Sequence, residues 1–179
     1  MDRFEIIAQL VGIAAMAFNI LSYQQKTRAR AIGFQFFGSA LFAANYFLLG
    51  AMVGGILNLV GTVRAIVFLN KEKLQARRLP WLFGFTAVYL VSYVLTFTVF
   101  GKDLTPFNLI VEFLPVVGMT ATTISFRLTD AKSIRRYGLI SSPSWLVYNI
   151  VNFSIGAICC EVLSLGSILI GMGRLDKQK

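Results

Sequence analysis

The sequence predicts an all-α, polytopic membrane protein: seven transmembrane helices built as two parallel three-helix bundles joined by a linker helix. Three observations predict it. Of 179 residues, 56% are hydrophobic and only 14% charged, with a mean hydropathy of +0.71; an ordinary soluble domain is about 45–50% apolar and about 25% charged. Seven stretches are long and apolar enough for a bilayer core about 30 Å thick, which takes about 20 apolar residues per helix. The basic residues then fall almost entirely on one side of those seven crossings.

Taken in order, the first stretch is 4–23. It follows Asp2, Arg3 and Glu5, whereas a signal peptide opens with a positive segment and a shorter apolar core. It is therefore read as a retained span, although Ala15-Met16-Ala17 resembles a cleavage site. Stretches 31–49 and 51–69 complete a first bundle, residues 1–69. A basic linker, 70–79, carries Lys71, Lys73, Arg77 and Arg78. The connecting helix, 80–100, opens on Pro80, which the first turn tolerates. It has no charge and carries aromatics on all sides, which suits a mostly lipid-facing connector with Trp81 at the interface. The second bundle, 107–174, holds stretches 107–126, 134–152 and 155–172, and a short tail, 175–179, follows.

Assigned alternately to two sides, the connections give one side Arg3 and Lys102. The other receives fourteen of the seventeen basic residues: Lys26, Arg28, Arg30; the four of the linker; Arg127, Lys132, Arg135, Arg136; and Arg174, Lys177, Lys179. Lysine and arginine near span ends stay cytoplasmic, so the amino terminus is expected outside and the carboxyl terminus in the cytoplasm. Three spans are an odd number, so two trios run parallel only if a single helix lies between them. Sliding the chain by 103 positions sets Met16 on Met119, Ser22 on Ser125 and Ser39 on Ser142. It also sets Gln9 on Glu112, Asn58 on Glu161 and Phe42 on Trp145. Parallel repeats about an axis along the membrane normal are one transporter architecture, with the substrate site between them.

Several chemistries are excluded. There is no histidine, which removes Ser-His-Asp and Cys-His constellations and histidine metal sites. The adjacent Cys159 and Cys160 cannot form a four-ligand cluster or a disulfide framework and read as small packing residues. No catalytic residue, metal or cofactor is expected, and the chain is not read as an enzyme. The net charge of +9 is accounted for by the basic loops, so the expected partner is the lipid bilayer and not nucleic acid.

Polar residues inside spans usually face a bundle interior or a cavity. Gln9, Asn58, Glu112 and Glu161 are expected to form one layer, roughly 7–8 Å below the outer interface at 1.5 Å per residue. They bind a small polar solute or carry a proton on one reading, and tie helices by hydrogen bonds on the other. Phe42 and Trp145 can stack on a ligand ring or simply pack. Pro115 and Pro143 interrupt the backbone ladder as hinges or as fixed kinks, and Asn45 and Asn149 read as helix-end polar residues. Arg64 lies about 8 Å from the end of its span, so its side chain is expected to reach the interface, the alternative being an ion pair at an inner gate. Gly50 and Gly54, with Gly55 and Gly61, permit close helix contact. The expected function is movement of a small solute by alternating access between the bundles. The alternative is a receptor or assembly protein that moves nothing.

Four features carry a closer resemblance: Tyr46-Phe47-Leu48-Leu49-Gly50; Asn58 with Arg64; Glu112-Phe113-Leu114-Pro115-Val116-Val117-Gly118; and Glu161 before a glycine-rich last span. On these the chain resembles the bacterial YgjV family of inner-membrane proteins, within the SWEET and PQ-loop (MtN3-like) clan. The resemblance implies the bacterial inner membrane and the 3+1+3 fold. The clan implies passive or proton-linked movement of sugars, amino acids or vitamins by rocking of two triple-helix bundles. Where SWEET-type members end a first span with proline-glutamine, this chain reads Tyr23-Gln24 and Phe126-Arg127; of the second-span prolines, Pro143 matches and Ala40 does not. Asn58 stands where such members carry a substrate-contacting asparagine, and Glu161 replaces the other.

Overall fold

The computed structural model describes residues 3–48, 52–99, 101–151 and 155–176. The expected span ends at 49, 51, 100 and 152, Gly50, and the tail beyond 176 lie outside the described residues, as do the surroundings of Gly54. Among the described residues there are seven helices and no strand: α1 (Arg3–Ser22), α2 (Arg28–Leu48), α3 (Met52–Leu69), α4 (Leu79–Thr98), α5 (Pro106–Arg127), α6 (Ala131–Val151) and α7 (Ile155–Leu175).

Helices α2 and α6 begin three residues before their apolar runs. A helix start leaves four N–H groups without intrahelical partners, and a polar cap ahead of each helix fills one of them. Thr27 Oγ1 accepts from the Arg30 N–H at 3.4 Å, and Asp130 Oδ1 accepts from the Ser133 N–H at 2.7 Å. The two caps stand 103 positions apart. Helix α5 opens on Thr105, which accepts from the Asn108 N–H at 3.2 Å, followed by Pro106, whose missing N–H is one that would lack a partner anyway.

Helix α2 packs between α1 and α3, and α6 packs between α5 and α7. Smaller contacts join α1 to α7, α2 to α6 and α3 to α5. Helix α4 lies mainly on α5 and touches α3. The ends of α1, α3, α5 and α7 meet the starts of α2, α4 and α6 at the end of the molecule that carries the basic loops, called here the basic end. Close approach of α3 to α2 needs small residues: a Cβ on Gly55 would stand 2.5 Å from the Phe47 ring, and one on Gly61 3.2 Å from Ser39 Oγ.

Polarity runs opposite to that of a soluble domain. Leu10, Ile13, Phe83, Val91, Ile110 and Leu169 are exposed, while Ser22, Thr123, Ser125 and Ser142 are buried. An apolar exterior of this kind suits hydrocarbon. By length and composition, four helical stretches can each cross a bilayer: Arg28–Leu48, Leu79–Thr98, Pro106–Arg127 and Ala157–Leu175. Over the described residues the apolar parts of α1 and α3, Ile6–Ser22 and Gly55–Leu69, are shorter. Helix α6 is the least apolar of the seven, because Lys132, Arg135 and Arg136 open it and buried Ser141, Ser142 and Ser144 fill its middle.

Helix α4 is mostly exposed and buries one aromatic face. Trp81, Phe85, Tyr89 and Tyr93 recur every four residues and so share one face. Phe85 and Tyr89 are buried, with ring centroids 6.3 Å apart for Trp81–Phe85 and 6.4 Å for Phe85–Tyr89. The Trp81 indole N–H donates to the Leu74 carbonyl at 3.0 Å, tying α4 to the linker.

Candidate functional site

A cavity of about 140 Å³ lies between the helices of the first trio and those of the second. Every helix except α4 contributes to its wall. It has room for on the order of ten waters, at about one probe sphere each. Four of the sequence-predicted residues meet here: Phe42 on α2, Asn58 on α3, Trp145 on α6 and Glu161 on α7. Twenty residues line it, and fourteen of them form seven pairs separated by 103 positions. The pairs are Asn19 with Thr122, Ser39 with Ser142, Phe42 with Trp145, Tyr46 with Asn149, Leu57 with Cys160, Asn58 with Glu161, and Gly61 with Ser164. The 103-position correspondence is thus far clearer in the wall of the cavity than along the sequence.

The wall carries one acid and one base. Glu161 is half-buried and lines the cavity together with Ser142 and Tyr23. The base is Arg64, and its place corrects the expectation that it reaches the interface. Arg64 is 7% exposed. Its Nη1 donates to the Tyr89 hydroxyl at 3.3 Å and to the Met119 carbonyl at 3.2 Å, and its guanidinium carbon stands 5.2 Å from the Phe126 ring centroid, within cation–π range. Tyr89 in turn bonds Thr123 Oγ1 at 3.1 Å. Among the described residues no carboxylate pairs with Arg64, and its Nε has no hydrogen-bond partner. The gate ion pair is therefore not formed either. Leu57, Gly61 and Arg64 fall at i, i+4 and i+7, one helical face, and that spacing is the signal that could have turned Arg64 inward.

The other predicted residues are placed elsewhere. Gln9 is exposed on α1 and does not line the cavity. Glu112 is 7% exposed and lines a second, smaller cavity of about 30 Å³ with Tyr93, Thr96, Pro115 and Tyr148. It is ion-paired there with Lys102. Leu57 and Met119 belong to both walls and separate the two spaces. The expected four-residue layer is thus divided: Asn58 and Glu161 share the main cavity, Glu112 does not reach it and Gln9 faces outward. Pro115 is buried inside α5, one turn from the cavity residue Met119, and Pro143 lies inside α6, next to the cavity residue Ser142. Asn45 is buried, and its amide donates to the Ala8 carbonyl at 2.7 Å. Asn149 is buried and lines the main cavity.

Two buried arginines cross the seam at the basic end. Arg28, at the start of α2, donates from Nε to the Phe126 carbonyl at 3.0 Å and from Nη2 to the Phe68 carbonyl at 2.9 Å. Arg135, near the start of α6, donates from Nη1 to the Tyr23 carbonyl at 3.3 Å and the Gln25 carbonyl at 3.0 Å, and pairs with Asp176. Tyr23 and Phe126 are 103 positions apart, so each arginine reaches the corresponding carbonyl of the other trio. Gln24 adds a third tie, its amide donating to Ser167 Oγ at 2.9 Å. Together these bonds floor the cavity. At the opposite end its lining reaches Tyr46, Asn149 and Ala157, each within two residues of the end of its helix.

The chain belongs to the Imp-YgjV family of bacterial inner membrane proteins, whose sequence model matches residues 6–179. No curated protein and no solved structure matches it.

Proposed function

We propose that this inner-membrane protein moves a small polar solute by alternating access between two parallel halves, α1–α3 and α5–α7, with α4 as the connecting helix. One observation carries the reading: the wall of the main cavity is built mostly of residue pairs separated by the same 103 positions. The helix contacts support it. Exchanging α1 with α5, α2 with α6 and α3 with α7 turns the α1–α7 contact into α5–α3 and leaves α2–α6 unchanged. That is the pattern of a two-fold axis along the membrane normal, on which such repeats enclose their substrate, and it is the arrangement of the SWEET and PQ-loop clan. The basic end is cytoplasmic by the distribution of lysine and arginine, which puts the amino terminus outside. In this state Arg28, Arg135 and Gln24 hold the cytoplasmic side shut, and the cavity lining extends toward the outer side.

Flux in vesicles that contain only the purified protein is the test. Proteoliposomes loaded with a mixture of labelled sugars, amino acids and organic acids should release one class of solute faster than empty vesicles. Release should fall at least tenfold when Gly61, which lines the cavity and packs against Ser39, is replaced by Phe. Equal release from protein-containing and empty vesicles for every class would reject transport in favour of a protein that binds without moving anything.

A further inference from the structure

The chemistry of the cavity wall limits what it can hold, and one residue limits it most. Arg64 is a permanent cation, more than nine-tenths buried, lining the space between the halves. Only its Nη1 is engaged in hydrogen bonds, and both acceptors, the Tyr89 hydroxyl and the Met119 carbonyl, are uncharged. Its Nε–H is without a partner but closed off from the cavity, so Nη2, beside Gly61 in the wall, is the donor left for a solute, and no described carboxylate pairs with the guanidinium. An arginine placed only to fasten helices would be expected to fill its donors, because the planar fork is suited to two parallel bonds to one carboxylate. The one carboxylate in the wall, Glu161, makes no ion pair with it.

Glu161 supplies the second limit. It lies on α7 at the position matching Asn58, six residues or about 9 Å of helix rise from the level of Arg64. An anion that approached both residues with oxygen alone would be repelled by this carboxylate. A solute with a carboxylate at one end and a hydrogen-bond donor at the other satisfies both. Trp145 and Phe42 stand opposite each other in the repeat and cover the apolar part of such a molecule.

Resting on the transport reading above, we propose that the main cavity binds a short carboxylate that also carries a hydroxyl or an amine, with its carboxylate on Arg64 and its donor toward Glu161. Neutral sugars, which lack the anion, are disfavoured because they leave Arg64 without an ion-pair partner.

The probes are L-lactate and L-alanine, which carry both groups; lactamide, which lacks the carboxylate; propionate, which lacks the donor; and D-glucose. Binding to the full-length protein in nanodiscs is read by calorimetry and by intrinsic tryptophan fluorescence. The expected result is that lactate or alanine binds at least tenfold more tightly than lactamide and glucose. R64K should weaken that binding tenfold or more, and E161Q should narrow the preference for the donor-bearing acid over propionate. The unfolding temperature of each unliganded variant separates lost binding from lost folding, and the comparison among probes on the unaltered protein needs no variant. Glucose or lactamide binding as tightly as the acids, no binding by either acid, or an R64K protein with unchanged acid affinity would each overturn the proposal. The two readings fail separately. Glucose flux that depends on the cavity keeps transport and sinks the carboxylate, whereas acid binding without flux does the reverse.

Discussion

Replacing Arg135 tests how the basic end is held. Arg135 is 3% exposed and makes two kinds of bond: from Nε to Asp176 Oδ1 at 3.0 Å, and from Nη1 to the carbonyls of Tyr23 and Gln25. Asp176 is itself 7% exposed at its side chain, and its Oδ2 has no hydrogen-bond partner. Removing one member of a buried ion pair costs about 3–5 kcal/mol, because the other charge is left uncompensated. R135M also strips both carbonyls of a charged donor, each such bond being worth about 1.5–3 kcal/mol. The expected loss is therefore about 5 kcal/mol, the upper end of the range. D176N leaves Arg135 both carbonyls and an amide oxygen, so its loss is expected near 3 kcal/mol. The double variant R135M/D176N has no buried charge left at this point. It should be more stable than R135M by about 1–2 kcal/mol, as when a buried pair is replaced by uncharged groups. Unfolding of the four proteins in one detergent, followed by tryptophan fluorescence, gives the cycle. If the double variant loses the sum of the two single losses, the pair is not coupled and the account of the basic end is wrong.

Four further outcomes follow from the same structure. G171A should cost about 1–3 kcal/mol by overpacking, since its Cβ would stand 2.6 Å from the Tyr23 carbonyl oxygen and 2.9 Å from Arg135 Cδ; G166A, on the same helix with open space around it, should be neutral or gain up to about 1 kcal/mol. Thermal unfolding of both decides it. Q9L should leave solute binding and flux within twofold of the unaltered protein, because Gln9 is exposed and does not line the cavity; a tenfold loss would put it back in the site. In a background with Cys159 and Cys160 replaced by Ala, a cysteine at Lys102 should react with an impermeant maleimide added outside intact cells, and one at Lys73 only after lysis. With Trp81 replaced by Phe, Trp145 is the sole tryptophan, and its emission should shift on adding the solute that binds, an effect that a site elsewhere would not produce.

The helices were legible because hydrocarbon demands long apolar runs, and seven such runs leave little chain between them. Their starts at the basic end were less so. A hydropathy window stops at the first charge, but the backbone continues until a cap fills its free N–H groups, which Thr27 and Asp130 do three residues earlier. Facing was the hard part. In lipid both sides of a helix are apolar, so hydrophobic periodicity says little about which side is inside; small residues say more. On α1, Ala8 and Ala15 are fully buried and Gly12 sits against Asn45, at i, i+4 and i+7. Gln9 lies one residue, about 100°, off that stripe, which is why it faces out. The same reasoning applied to Leu57, Gly61 and Arg64 turns Arg64 in. Glu112 could not be separated from Glu161 by sequence, because the barrier between their cavities is made by Leu57 and Met119 from two different helices.

On the two-halves reading, the residues in and around the cavity divide their labour. Positions that match across 103 residues do mechanical work: the caps Thr27 and Asp130, the carbonyls of Tyr23 and Phe126 that receive the crossing arginines, and the facing Ser39 and Ser142. Charge appears where the match fails. Glu161 faces Asn58, and Arg64 corresponds to Ser167, which is already occupied with Gln24 and the Ile20 carbonyl. On the two-halves reading, a strictly symmetric wall would present the same groups to both ends of a solute and could not orient it. Here the first half gives the cation and the second the acid, so the cavity has a polarity that the scaffold lacks. E161N, which restores the symmetry with Asn58, should therefore leave the fold and the crossing arginines intact while removing discrimination between propionate and lactate. An E161N protein that unfolds at a lower temperature yet keeps that discrimination would place Glu161 among the helix ties and take it out of the binding wall.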